Sequence, residues 1–166
     1  AGSSAGGHMV ALIGVTNGSR AHEGKVGGNP GESSDVHAIV DLYGPTNFLT
    51  ILHQSTPHGL SVRVPALKLL LGKRPEDAPE LARLASPVFH VDKADPPLLM
   101  LHGDQDPQVP INQSHELHAA YKKMKLDGHL EVIHGGVHGG HLFHDAVRRK
   151  LITKFLDTHL KKGATP

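Results

Sequence analysis

Residues 96–114 read PPLLMLHGDQDPQVPINQS, and the reading of this stretch decides the fold. Leu98-Leu99-Met100-Leu101 is a short, continuous apolar run followed by the turn formers Gly103, Asp104 and Pro107. A run of that length without polar alternation marks a strand buried on both faces, as in a parallel sheet covered by helices. The strand is predicted over Pro97 to His102. In open sheets of this kind the working residues stand just past the carboxyl ends of the strands, where Asp104 and Asp106 fall. Either carboxylate can accept from an imidazole N–H, fixing its tautomer and compensating its charge. Either can equally be a turn residue bonding its own backbone.

Downstream, Asn112 to Lys125 predicts a helix with Leu117, Ala120, Tyr121 and Met124 on one face. His129 to Ile133 predicts a further strand, and His144 to Lys161 a last helix with Val147, Leu151, Phe155 and Leu156 inward. Upstream, Val36 to Tyr43 carries Ala38, Ile39, Val40 and Leu42 and predicts another buried strand, ended by Gly44-Pro45-Thr46. Asn47 to Ala85 reads as a mostly helical excursion covering one end of the sheet. Within it the acidic first turn of residues 74–80 leads into Leu81 and Leu84. Thr16 to Asp35, rich in Gly, Asn, Ser and Pro, is a loop. Ala5 to Val15 lacks a polar stripe and reads as a buried helix. Strands alternating with helices define the α/β class, a mostly parallel sheet with helices on its faces.

The chain has 166 residues, the size of one ordinary domain. Its 17 Lys and Arg against 16 Asp and Glu give a net charge of +1, which implies no nucleic-acid or membrane-surface face. The basic stretches Arg148-Arg149-Lys150 and Lys161-Lys162 are short and read as solvated helix surface. No apolar run approaches the roughly 18 residues that a membrane span requires. Cysteine is absent, which excludes disulfides, thiolate metal sites and a Cys nucleophile, and suits either redox environment. The compartment stays open.

Gly2-Ser3-Ser4-Ala5-Gly6 matches G-x-S-x-G, a pattern that sets a serine on a sharp turn from strand to helix. Small flanking residues let the chain turn, and Ser4 would take a strained backbone conformation. The Ala5 N–H, at the helix start, is then placed to donate to a developing oxyanion. After the last strand comes His134-Gly135-Gly136-Val137-His138-Gly139-Gly140-His141, a glycine-rich loop from which a histidine can reach back to the serine. The 15 histidines also raise a metal reading, in which His134, His138, His141 and His144 hold zinc from one helix face. The four glycines among them oppose a helix there. His8 reads as a packed helix residue, His102 as bonded within the Asp104–Asp106 loop, and Gln113 and Ser114 as anchors of the following helix.

With these residues in view, the chain resembles the bacterial carbohydrate-esterase and feruloyl-esterase-like branch of the α/β-hydrolases, relatives of acetyl esterases and lipases. GSSAGGHMVAL (2–12) is similar to that branch's elbow, and Leu42 to Thr46 to its strand-end Y-G-P-T. Ser86-Pro87 is similar to the S-P segment before its next strand, and residues 96–114 to its H-G-D-x-D-x-x-V-P block. The order Ser, Asp, His along the chain is also the order that α/β-hydrolases use. The resemblance places the nucleophile at Ser4, the acid at Asp106 rather than Asp104, and the base at His138. It implies hydrolysis of short acyl or aryl esters, including those on carbohydrates, with a small-molecule ester as partner and no cofactor or metal. Amide or peptide hydrolysis by the same triad, and a non-catalytic binding module, are the alternatives.

In one respect the chain departs from the branch. No strand is predicted before Gly2, and no H-G-G oxyanion loop precedes Ser4. The expectation is a partial domain over residues 1–166, whose open sheet edge an N-terminal half or a second chain covers. The second oxyanion donor is then expected from that half, and any leader would lie upstream.

Overall fold

The computed structural model describes residues 1–29 and 31–161. Four strands form one parallel sheet in the order β1 (Gly2–Ser3), β2 (Ile39–Leu42), β3 (Leu98–Gly103) and β4 (Gly128–Ile133). Between and after them run α1 (Ala5–Gly14), α2 (Ile51–Gln54), α3 (Pro57–Leu71), α4 (Pro79–Leu84), α5 (Asn112–Met124) and α6 (Ala146–Leu160). β3 is central: Leu98 pairs with Ile39 on one side and Gly128 on the other. No helix among the described residues is long and apolar enough to cross a membrane.

Side chains alternate across a strand, so each apolar run supplies two cores at once. Ile39, Leu98 and Met100 face α1 and α5, packing on Ala11, Leu117 and Tyr121. Val40, Leu42, Leu99 and Leu101 face the opposite side, packing on Ile133, Phe143 and the Leu151, Ile152, Phe155 and Leu156 stripe of α6. The continuous hydrophobicity of residues 98–101 is what a strand between two helical layers needs. A third cluster, centred on Phe48, Ile51, Leu67 and Leu71, binds α2, α3 and α4 into one helical unit.

Several elements differ from the sequence expectation. Gly2–Ser3 pairs with Asp41 and Leu42 as a two-residue strand, too short to leave a pattern. β2 begins at Ile39 rather than Val36, because the Val36 backbone is engaged by the Asn17 side chain instead of by β3. At its other end Tyr43, at φ 46°, turns the chain out of the sheet. α1 is buried on one face only: Gly7, Ala11 and Gly14 meet the sheet while Met9 is 59% exposed. These small residues bring the helix close. A Cβ on Gly7 would strike the Asp41 carboxylate, and one on Gly14 the Ile39 side chain. Val147 is 65% exposed rather than inward, and Phe143 and Leu142 cover the sheet there instead. In α4 the buried residue is Ala82, while Leu81 and Leu84 are exposed. Arg148 is partly buried and paired with Asp145 and Glu131, whereas Arg149, Lys150 and Lys161 are exposed as expected. Lys162, in the second basic stretch, lies outside the described residues.

Candidate active site

Three loops at the carboxyl ends of β1, β3 and β4 bring Ser4, Asp106 and His138 together. Ser4 sits between β1 and α1 at φ 53°, ψ −119°, a region that costs a non-glycine residue about 1–3 kcal/mol. Its N–H is held by the Leu42 carbonyl at 2.9 Å, and its own carbonyl accepts from His8 N–H at 3.0 Å. The strained serine is thus fixed from both sides. Of the two glycines flanking it in the pattern, Gly2 is the sterically required one, since a Cβ there would strike the Gly6 carbonyl. A Cβ on Gly6 meets nothing, so the expectation that both must be small holds for one side only.

The acid loop and the base loop are bonded to each other. Asp104 N–H donates to Ile133 O at 3.2 Å and Gln105 N–H to Gly136 O at 2.9 Å. The glycines of the base loop serve this geometry. Gly135, Gly139 and Gly140 lie at φ between 72° and 95°, and Gly136 packs directly on Gly103.

Ser4 Oγ lies 2.8 Å from His138 Nε2, and His138 Nδ1 lies 2.7 Å from Asp106 Oδ2. An ionised carboxylate only accepts, so the imidazole proton is on Nδ1 and Nε2 is left to accept from the Ser4 hydroxyl. The Asp106 side chain is 0% exposed and that of His138 12%. Burial alone would raise the Asp106 pKa, but bonds from His102, His138 and the N–H groups of Val109 and Gln108 hold it well below the usual carboxylate range. Asp106 therefore fills both roles open to it in the sequence: Oδ1 closes its own turn, and Oδ2 faces the imidazole. Asp104 instead bonds His134 Nδ1 and the Gly135 N–H at the surface.

Supporting residues escaped the sequence reading in part. His102 is buried, its Nε2–H directed at Val109 O (2.9 Å) and toward Asp106 Oδ2 (3.4 Å), while Nδ1 accepts from Ser114 Oγ at 2.7 Å. The i, i+4 spacing of His102 and Asp106 across a turn was the available signal. Tyr43 packs its ring edge against His138, with centroids 4.8 Å apart. Gln113 anchors more than its helix: its Oε1 accepts from the N–H groups of Thr46 and Asn47 at 2.9 and 2.8 Å, tying α5 to the end of β2. His8 is buried and bonded to Ala85 O at 2.7 Å, and burial lowers its pKa. The residues of the metal reading part company. His138 turns to Ser4 and His134 to Asp104, and no group of three or more metal-ligating side chains gathers among the described residues.

Asp41, at the end of β2, is buried with Oδ1 accepting from Gly44 N–H at 2.9 Å and Oδ2 without a partner. Burial pushes its pKa up to about 6, partly offset by the Gly44 N–H and His102. The folded state thus holds this proton more tightly than the unfolded chain does. Stability should fall as pH rises from about 4 to about 6, by about 3 kcal/mol at most. Asp106 acts in the opposite sense: its contribution is present above the unfolded carboxylate range and is lost as pH falls through its depressed folded pKa. Asp41→Asn is expected to flatten the loss between pH 4 and 6 and to add about 1–2 kcal/mol at pH 8. Urea unfolding at the three pH values checks this; an unchanged pH dependence would contradict it.

The chain belongs to the BD-FAE family, whose model matches residues 1–121. Esterase LipC of Mycobacterium tuberculosis is 34% identical over 115 residues, covering 69% of this chain and 27% of that protein. A truncated form of a carbohydrate esterase from gut microbiota superposes with a TM-score of 0.83 at 32% identity, covering 95% of this chain and 57% of that one. An acetyl ester-xyloside bifunctional hydrolase from Caldicellulosiruptor lactoaceticus gives a TM-score of 0.72 at 25% identity, covering 95% and 54%. The fold is accordingly that of the α/β-hydrolases. This chain spans about half the length of those solved structures and about a quarter of the curated relative's.

Proposed function

We propose that this chain carries the catalytic triad of a serine carboxylic ester hydrolase acting on short acyl esters, including esters on carbohydrates. The observation that carries the reading is the unbroken run of bonds from Ser4 Oγ through His138 to Asp106, begun at a serine held at φ 53°. His138 Nε2 takes the Ser4 proton as Oγ attacks the ester carbonyl, and Asp106 compensates the imidazolium. The carbonyl oxygen becomes an oxyanion, for which the Ala5 N–H is one donor. Ala5 opens α1, and the N–H groups of a helix's first turn have no partner within the helix. His138 then returns its proton to the departing alcohol, and water, activated by the same imidazole, releases the acid and frees Ser4.

The carbohydrate part of the reading is supported by the two solved structures named for carbohydrate and acetyl-ester chemistry. The proposal includes a partner for the open edge of β1: a further strand, from a longer form of this polypeptide or from a second chain, covers it and supplies a second oxyanion donor. The test is a panel of para-nitrophenyl acetate and butyrate, acetylated xylo-oligosaccharides, and the matching anilides. Esters should be cleaved at least about 100-fold faster than anilides. Comparable cleavage of the anilides would move the assignment to amide hydrolysis, and ester cleavage that survives Ser4→Ala would remove the triad from it.

A further inference from the structure

One stripe of α3, Arg63, Ala66, Leu67 and Leu70, lies along a cavity of about 380 Å³ that Ala5 also lines. The spacing of three, one and three is that of a single helix face. Ala5 follows Ser4 directly, so the cavity lies beside the turn that carries the reacting serine. Its lining is apolar except for Arg63 and His8, and His8 is bonded to the Ala85 carbonyl with burial favouring its neutral form. Arg63 is thus the one fixed charge in the wall.

Arg63 is also incompletely paired and partly buried. Its Nε is buried with no hydrogen-bond partner, and it forms no ion pair among the described residues. Burial works against the charged guanidinium, and the charge of Asp106 offsets this only in part. Asp106 cannot pair with it more closely, since both of its oxygens are occupied by His138, Gln108 and Val109. The helix does not swing freely away from the site either. One turn before Arg63, Gly59 packs on the acid loop, where a Cβ would meet Pro107 O at 3.0 Å, and Thr56 Oγ1 donates to the same carbonyl at 3.1 Å. Arg63 nevertheless lines the apolar cavity with no ion-pair partner among the described residues, and the fork geometry of its guanidinium matches a carboxylate.

We propose that Arg63 is a specificity-determining residue that receives a carboxylate carried by the ester substrate across an apolar spacer. The preferred class is anionic esters such as hemiesters of dicarboxylic acids. A polar anion such as a uronate fits an apolar wall less well than a carboxylate at the end of a few methylenes. The inference rests on the ester hydrolysis proposed above, and the experiment separates the two.

Two substrate pairs are compared by their specificity constants: para-nitrophenyl hemiglutarate against the neutral para-nitrophenyl valerate, and 4-carboxybutyl acetate against pentyl acetate. The first pair places the carboxylate on the acyl side and the second on the alcohol side. The anionic member of at least one pair should be favoured by about 10- to 100-fold. That ratio should fall to about 1 in Arg63→Gln, below 1 in Arg63→Glu, and recover in part in Arg63→Lys. Binding is measured separately by calorimetry in the Ser4→Ala background, using glutaranilic acid against neutral valeranilide. The anion should bind at least about tenfold more tightly, and Arg63→Gln should abolish the difference. If no ester is turned over, the proposed activity fails and this binding difference alone decides the role of Arg63. Anionic and neutral ligands treated alike, or a preference unchanged in Arg63→Gln, would overturn the inference.

Discussion

Replacing Ser4 with alanine is expected to reduce ester turnover by roughly 10⁵–10⁶-fold, because the triad acts as a unit and His138 then has no hydroxyl to activate. The same position should separate activity from stability. Ser4 holds φ 53° and ψ −119° as a non-glycine residue, bonded on one side to Leu42 O and on the other to His8 N–H. Ser4→Ala keeps a Cβ and keeps the strain, so its stability should stay close to that of the parent. Ser4→Gly removes the Cβ and should gain about 1 kcal/mol, net of glycine's greater freedom in the unfolded chain. Both variants should be inactive. Thermal unfolding measured beside turnover checks the pair, and a Ser4→Gly protein less stable than Ser4→Ala would show that the backbone there is unstrained.

The second large effect is expected at Asp106. Asp106→Asn should lower turnover about 10⁴-fold with little change in the overall fold, because an amide cannot serve both neighbours. With Nδ2 facing His138, two donors meet unless the ring gives up the Nδ1 proton; Nε2–H then points at Ser4 and cannot accept from it. With Oδ1 facing His138, Nδ2 is turned against the N–H groups of Gln108 and Val109, which now donate to the carboxylate at 2.8 and 2.9 Å. Each orientation loses a bond that the aspartate makes. Steady-state kinetics on a protein with unchanged far-UV circular dichroism checks this, and retention of turnover to within tenfold of the parent would contradict the assigned role.

Much of the fold could be read from the sequence because burial on both faces leaves a direct imprint. Residues 98–101 are apolar without interruption, and β3 is covered by α1 and α5 on one side and α6 on the other. What escaped was short or built from small residues. β1 has two residues, and its pairing with β2 leaves no periodicity to detect. α1 itself was anticipated, but not its one-sided burial: it meets the sheet through Gly7, Ala11 and Gly14, which leave little hydrophobic signature, while Met9 and Ile13 point to solvent. Val147 matched the inward pattern of α6, but the 3₁₀ turn before that helix places Phe143 over the sheet there.

That Ser4, His138 and an aspartate of the 104–106 loop meet could be anticipated because motif, chain order and location after strands coincide; the family resemblance singled out Asp106 over Asp104. The residues that hold them were less visible. His102 touches Asp106 through a turn, and Tyr43 reaches His138 from a different strand end, while Arg63 lines the neighbouring cavity from a helix with no motif of its own. Such roles depend on tertiary approach between distant segments. Only the short spacing from His102 to Asp106 leaves a trace in one sequence.

The central claim is that Ser4 is a nucleophile activated by His138. A fluorophosphonate probe, with the adduct located by peptide mass spectrometry and Ser4→Ala as control, tests it most directly. Labelling confined to Ser4, absent in the control and strongly slowed in His138→Gln, is the predicted result. Labelling of another residue, or none in a folded sample, would contradict it.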